Sequence, residues 1–230
     1  MFRVLKLELK KDSVSWYWKG AVIANLLIVS MLTFILYMER MEGSQVVRDM
    51  EELFFIGGTI VRAVFIVFAA VLLAKLIIEE YKNKTMALQF LFPIERKKLL
   101  SAKLLIVFSF TLTSILLSEL FVTAVMWGVN GYFHFVEHTV TTAMLTEKIS
   151  TSLTLAFAAA GTSLVPLYFG MRRLSVPVTI VSSLVIVSLI SSHNPTFSLA
   201  SIVYIPIAFA VIGIAISLLS IRNVNRMDVL

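Results

Sequence analysis

The chain has 230 residues, of which 59% are hydrophobic and only 15% are charged. Water-soluble domains carry about 25% charged residues, so this composition excludes an ordinary soluble domain and predicts a polytopic membrane protein. The chain has no cysteine, which excludes disulfide bonds, thiol catalysis and thiolate metal sites. The net charge of +6 indicates a membrane surface rather than a nucleic acid partner, because the basic residues flank apolar segments.

The first predicted element is an amphipathic helix over residues 2–19 that lies in the membrane interface. Apolar side chains share one helical face over residues 2–9, with arginine and lysine beside it. A β-strand is the alternative, since leucines alternate with charged residues from Leu5 to Lys10. The Trp16-Tyr17-Trp18 run favours the interfacial helix, because these side chains prefer the headgroup level of a bilayer.

Six apolar segments follow and are predicted to cross the membrane as α-helices. They cover about residues 20–38, 53–78, 100–128, 149–170, 174–191 and 198–220. A span needs about 20 apolar residues, so the fifth segment is the shortest that could cross. The second and third are long enough to tilt or to project into the cytoplasm. Residues 1–230 are thus predicted to form a single all-α membrane domain.

The placement of lysine and arginine predicts which side of the membrane each loop faces. Fifteen of the twenty basic residues lie at the two ends of the chain, in segment 79–103 or at Arg172-Arg173. Only Arg40, Arg48 and Lys148 are assigned to loops on the opposite side. Cytoplasmic loops are enriched in Lys and Arg, so both termini are predicted to be cytoplasmic.

Arg62 and Glu119 are charged residues inside predicted spans, and they form the candidate intramembrane site. Each lies about nine residues from the outer end of its span, which at 1.5 Å per residue is a depth of about 13 Å. Consecutive spans are usually neighbours, so we predict an ion pair that either locks two helices together or lines a translocation path. Lys75, near the cytoplasmic end of the second span, is expected to snorkel to the surface.

Small residues and prolines predict how the later spans pack. Span four contains the alanine-rich run 156–160, then Gly161 and Pro166. Small side chains allow helices to approach closely, and the proline is expected to loosen the backbone. Pro206 is expected to have a similar effect in span six.

The most highly charged stretch between two apolar runs extends from Glu79 to Lys103. Two carboxylates precede Thr85 and an apolar stripe, and a proline at position 93 is followed by the basic run Arg96-Lys97-Lys98. Pro93 is expected to end a short helix. The basic residues would keep the segment at an anionic membrane surface.

This stretch resembles the first cytoplasmic loop of ABC-2 type transporter permeases, the transmembrane subunits of ATP-binding cassette exporters. The positions that carry the resemblance are Glu80, Thr85, the leucine-rich run after it, Pro93-Ile94-x-Arg96, Leu99-Leu100 and Lys103. The family often has glycine where Lys84 stands and a small polar residue where Glu95 stands. With these two departures the chain is more similar to the permeases of bacitracin and lantibiotic self-protection exporters.

The resemblance implies a fold and a function. The fold is six transmembrane helices after an interfacial elbow helix. Segment 79–98 would be the coupling segment that docks on a separate ATPase subunit, with Glu80, Thr85, Pro93, Arg96 and Lys103 as its coupling positions. ATP and Mg would be held by that partner and no cofactor by this chain, which would not itself be an enzyme. A second permease copy or a paralogue would complete the exporter in the cytoplasmic membrane of a bacterium.

The residues exclude nucleotide hydrolysis by this chain and leave two other functions open. None of the nine glycines has the spacing of a P-loop. The His134–His138 stretch matches the H-x-x-E-H pattern of a zinc peptidase class, but a loop of about twenty residues offers no scaffold for a third ligand, so no catalytic or metal site is predicted. An ion-coupled secondary transporter and a membrane immunity protein that sequesters a peptide without pumping stay as alternatives.

Overall fold

The computed structural model describes residues 14–42, 47, 49–83, 96–133, 142–191, 193–194, 197–198 and 204–223. This part of the chain is helical apart from one short antiparallel hairpin. Its elements are α1 Val14–Glu42, α2 Met50–Leu73, a π-helical turn Ala74–Ile78, α3 Glu79–Lys82, α4 Arg96–Phe133, α5 Thr142–Thr162, α6 Pro166–Arg173, α7 Val176–Ile190, β1 His193–Asn194, β2 Phe197–Ser198 and α8 Tyr204–Asn223.

Five helical stretches in the described part are long and apolar enough to cross a membrane. They are Tyr17–Glu42, Met50–Lys82, Lys97–Phe133, Lys148–Arg173 and Tyr204–Arg222. The apolar helix α7 has 15 residues, which gives a length of about 22 Å against about 30 Å of hydrocarbon. The all-helical class is thus confirmed in the described residues, whose helices are those of a multi-pass membrane protein.

The first helix differs from its predicted boundaries. α1 starts at Val14 and continues without a break to Glu42, so residues 14–19 are its first turns rather than part of a separate interfacial helix. The physical reason is packing: Tyr17 is 3% exposed and its ring meets the rings of Phe68 and Phe110 edge to face. Residues 2–13 of the predicted interfacial helix lie outside the described part of the chain.

Two further boundaries differ. α4 is a 38-residue helix, so it extends past both ends of predicted span three. Predicted span four is interrupted: α5 ends at Thr162, residues 163–165 form a turn, and Pro166 is the first residue of α6. Proline has no backbone N–H and a fixed φ, so it breaks a helix from within but begins one readily.

The helices run alternately up and down, which gives the bundle two ends. The hairpin end holds Met50, Phe133 and the β1–β2 hairpin, whereas the basic end holds Lys82, Lys97 and the Arg172–Arg173 pair. One apolar cluster fills the half toward the hairpin end, around Phe65 and Ile115, and another fills the half toward the basic end, around Leu73, Ile77 and Leu167.

α2 and α5–α6 form the centre of the bundle, and α1 and α8 form its periphery. The most apolar windows of Met50–Lys82 and Lys148–Arg173 are 56% and 72% buried, whereas those of α1 and α8 are each 22% buried. The exposed side chains of α1 and α8 are largely apolar, as expected of surfaces that face lipid or another membrane protein.

α5 and α8 approach each other closely through their small residues. A Cβ atom on Gly213 would collide with the carbonyl oxygen of Gly161, and one on Gly161 would lie 2.7 Å from the Cβ of Ala210. Ala156 and Ala160 on α5 are fully buried. The alanine-rich run and Gly161 therefore give the close packing predicted from the sequence.

Candidate functional site

Arg62 on α2 and Glu119 on α4 form an ion pair in the half of the bundle toward the hairpin end. Arg62 Nη1 lies 2.6 Å from Glu119 Oε1, and the two side chains are 14% and 6% exposed. Arg62 Nη2 also donates a hydrogen bond to Thr59 Oγ1, at 3.1 Å. The structure therefore brings together the two charges that the sequence places at matching depth.

Because Gly58 has no side chain, the space beside it is open to the Arg62–Glu119 pair. A Cβ atom at Gly58 would lie only 3.0 Å from Arg62 Nη1 and 3.4 Å from Glu119 Oε1. The second oxygen of Glu119, Oε2, is buried and has no hydrogen-bond partner among the described residues. Buried carboxylate oxygens generally have a partner, so this atom marks the pair as a polar site that the described side chains do not fully satisfy.

Lys148 on α5 adds a second cation to this site. Its Nζ donates a hydrogen bond to Thr123 Oγ1 at 2.6 Å and lies 3.6 Å from the centre of the Phe54 ring. Thr123 is one helical turn beyond Glu119 on α4, and Lys148 is close enough to interact electrostatically with both Glu119 and Arg62. We call Arg62, Glu119 and Lys148 the charged triad.

Lys148 was not predicted as a site residue, because its sequence position was assigned to a loop. Predicted span four began at residue 149, whereas α5 begins at Thr142. Lys148 therefore lies nearly two turns inside a helix and faces the bundle. The polar residues Thr142, Thr146 and Lys148 hid the start of that helix from a hydropathy argument, although threonine and lysine are both compatible with a helix.

A cavity of about 30 Å³ lies beside Arg62. It is bounded by α2, α5, the end of α7 and the start of α8, and its polar lining comes from Thr59, Arg62, Thr162 and Ser191. Such a volume has room for about two water molecules or for the oxygen atoms of a small polar group. The cavity is thus a partly polar space in the half of the bundle toward the hairpin end.

A second charged contact lies at the basic end. Lys103 on α4 is fully buried, and its Nζ lies 2.5 Å from Glu80 Oε2 on α3. The same Nζ donates a hydrogen bond to the carbonyl oxygen of Leu76, at 2.9 Å. Leu76 lies in the π-helical turn Ala74–Ile78, and such turns occur often at functional sites. Glu80 and Lys103 therefore join the helices on either side of residues 84–95.

The other residues named from the sequence are described only in part. Thr85 and Pro93 lie outside the described residues, as does the His134–His138 motif. Arg96 is the first residue of α4, and its side chain is not described. In the described ranges no group of three or more His, Cys, Asp or Glu side chains could hold a metal ion.

A comparison with known proteins finds a relative of nearly the same length. The chain is 47% identical over 225 residues to the uncharacterized protein YcbO of Bacillus subtilis (strain 168), and the similarity covers 98% of this chain and 99% of that protein. No protein-family model matches the chain. No solved structure matches it either.

Proposed function

We propose that this chain, which belongs to the family of Bacillus subtilis YcbO, is the permease subunit of an ATP-driven ABC exporter. YcbO is an uncharacterized protein, so the proposal is based on the residues of this chain itself. On this proposal the chain crosses the cytoplasmic membrane of a bacterium six times, with α7 as the fifth crossing and both termini in the cytoplasm. It moves an amphipathic or hydrophobic molecule, such as an antimicrobial peptide, a drug or a lipid-like compound. A separate ABC ATPase subunit binds ATP and Mg, and a second permease copy or a paralogue completes the transporter.

The observation that carries this proposal is the contact between Glu80 and Lys103. Both residues belong to the pattern that resembles the coupling loop of ABC-2 permeases, although twenty-two residues separate them in the sequence. A coupling segment must transmit force, so its two flanks should be fixed to each other. A buried ion pair held by an additional hydrogen bond to Leu76 provides such a connection.

The contact also suggests how motion would reach the spans. Closure of the ATPase subunits would push on segment 79–98. Lys103 would pass this displacement to the π-helical turn of the second span and to α4 together, because its Nζ holds both Glu80 and Leu76 O. Packed helices move as rigid units, so the spans would then alternate between inward-open and outward-open arrangements.

The decisive experiment is isolation of the tagged full-length chain from its native membrane. We expect a P-loop ATPase to co-purify in stoichiometric amount and the complex to hydrolyse ATP in a vanadate-sensitive manner. Glu80→Gln should uncouple ATP hydrolysis from transport, whereas Glu79→Gln, the same change at the exposed neighbouring residue, should leave coupling unchanged. Isolation of a chain that never carries a nucleotide-hydrolysing partner would overturn the proposal.

The charged triad favours a second candidate, an ion-coupled secondary transporter. Ionisable residues inside a membrane are costly and commonly mark ion pathways. The two functions differ in their energy source: vanadate should stop an ABC exporter, whereas an ionophore that collapses the ion gradient should stop a secondary transporter. A non-pumping immunity protein would show no net transport under either condition.

A further inference from the structure

The charged triad carries one more positive than negative charge. Arg62 and Lys148 are its two cations, and Glu119 is its one carboxylate. Arg62 is paired with that carboxylate, while the contacts of Lys148 with the described side chains are to a neutral hydroxyl, that of Thr123, and to the aromatic ring of Phe54. Charges within an apolar bundle are normally balanced, so a net charge of about +1 favours the approach of an anion.

Arg62 lines the cavity, and its described hydrogen bonds use only part of its donors. A guanidinium has five N–H donors, and the described contacts of Arg62 occupy one on Nη1 and one on Nη2. Its side chain also lines the cavity, together with the hydroxyl-bearing residues Thr59, Thr162 and Ser191. A planar guanidinium with free donors and nearby hydroxyl groups is well suited to bind carboxylate or phosphate oxygens.

We infer that the cavity beside Arg62 binds the oxygen atoms of an anionic headgroup, so that the molecule carried by the proposed exporter is an anionic amphiphile. The volume of about 30 Å³ accommodates the charged oxygens of a phosphate or carboxylate but not an alkyl chain. The apolar part of the ligand would therefore lie between the helices or in the surrounding lipid. The role as substrate rests on the proposed function; the binding of the anion does not.

The inference is tested with the purified full-length chain in nanodiscs of phosphatidylcholine, without any ATPase. Thermal unfolding is followed while either phosphatidylglycerol is added to the bilayer or inorganic phosphate is added to the buffer at constant ionic strength. A ligand that binds the folded state raises the midpoint of unfolding, and above its Kd the rise grows with the logarithm of the ligand concentration. A rise with phosphatidylglycerol alone identifies a lipid-type headgroup, and a rise with phosphate alone identifies a small soluble anion; both support the site.

Three variants separate this site from general anion effects. Lys148→Gln removes the excess charge and leaves the Arg62–Glu119 pair in place, and Ala63→Leu fills the cavity without changing charge. We expect both to weaken the apparent affinity at least about tenfold. Lys75→Gln removes a cation in the π-helical turn that follows α2, far from the cavity. This variant should bind the anion with the same apparent affinity as the parent chain.

Two results would overturn the inference. One is that neither probe shifts the unfolding midpoint of the parent chain. The other is that the shift is equal in all four proteins, since the anion would then act away from the charged triad. Neither result bears on the co-purification of an ATPase, and a failure to find an ATPase would leave the binding measurement unaffected.

Discussion

At the scale of single residues, the buried cations Arg62 and Lys103 each contact a carboxylate from another helix. Taking a charge out of water costs several kcal/mol, which the partner largely offsets. The loss of one partner should therefore lower the free energy of unfolding strongly, because the other charge is then left buried without an opposite charge beside it. This asymmetry makes the Arg62–Glu119 pair testable by exchange of its two charges.

Charge reversal at one position should destabilise the protein strongly. Arg62→Glu or Glu119→Arg places two like charges side by side within the bundle and should each cost about 3–5 kcal/mol of unfolding free energy. The double variant restores opposite charges on the same two helices and should recover a large part of that loss. Denaturant unfolding in a fixed detergent measures all three. If the double variant is no more stable than either single one, the two side chains do not pair.

Gly58 and its neighbour Gly57 provide a matched comparison of space beside the pair. A Cβ at Gly57 would make ordinary 3.5 Å contacts with Leu32 and Val122, whereas one at Gly58 would lie 3.0 Å from Arg62 Nη1. Alanine is favoured over glycine within a helix by about 0.5–1 kcal/mol. We therefore expect Gly57→Ala to raise the unfolding free energy by about that amount and Gly58→Ala to give no gain. Equal gains would contradict the tight fit.

At the scale of helices, small residues decide which helices pack most closely. α5 and α8 approach each other at Gly161 and Gly213, where their backbones are nearly in contact. Gly128 on α4 has nothing within 4 Å of the position of its absent Cβ. The same substitution should therefore have opposite effects at the two kinds of site.

Gly213→Ala should destabilise the bundle by about 1–3 kcal/mol, because its methyl group must push α5 and α8 apart. Gly128→Ala should stabilise by about 0.5–1 kcal/mol through helix propensity alone. Thermal unfolding in one detergent compares them. A neutral Gly213→Ala would mean that the two helices separate readily.

Helix type and location could be predicted from the sequence, but helix ends and one site residue could not. Long apolar runs between charged flanks predicted the helices. The equal distance of Arg62 and Glu119 from the outer ends of their spans predicted that the two side chains would be in contact. The start of α1 depends on Tyr17 packing against rings more than 50 residues away, which hydropathy does not report. Lys148 was not predicted as a site residue because the polar start of α5 has the low hydropathy that is typical of a loop.

At the scale of the whole molecule, the two charged sites lie in opposite halves of the bundle and are both in contact with the helical stretch Met50–Lys82. The Glu80–Lys103 contact lies at the basic end and the charged triad lies toward the hairpin end. α2 and the π-helical turn connect them through a continuous helix. On the proposed function, energy enters at one end and the transported molecule is bound near the other, so the orientation of the bundle in the membrane is decisive.

Single-cysteine labelling should establish this orientation, since the parent chain contains no cysteine. Asn83→Cys lies at the basic end, and Tyr132→Cys replaces a side chain that is 80% exposed near the opposite end of α4. The excess of basic residues predicts that the basic end is cytoplasmic. In intact cells a membrane-impermeant maleimide should therefore label Tyr132→Cys and spare Asn83→Cys, whereas permeabilised cells should label both. Labelling of Asn83→Cys alone in intact cells would place the Glu80–Lys103 contact outside the cell, where no ATPase could reach it.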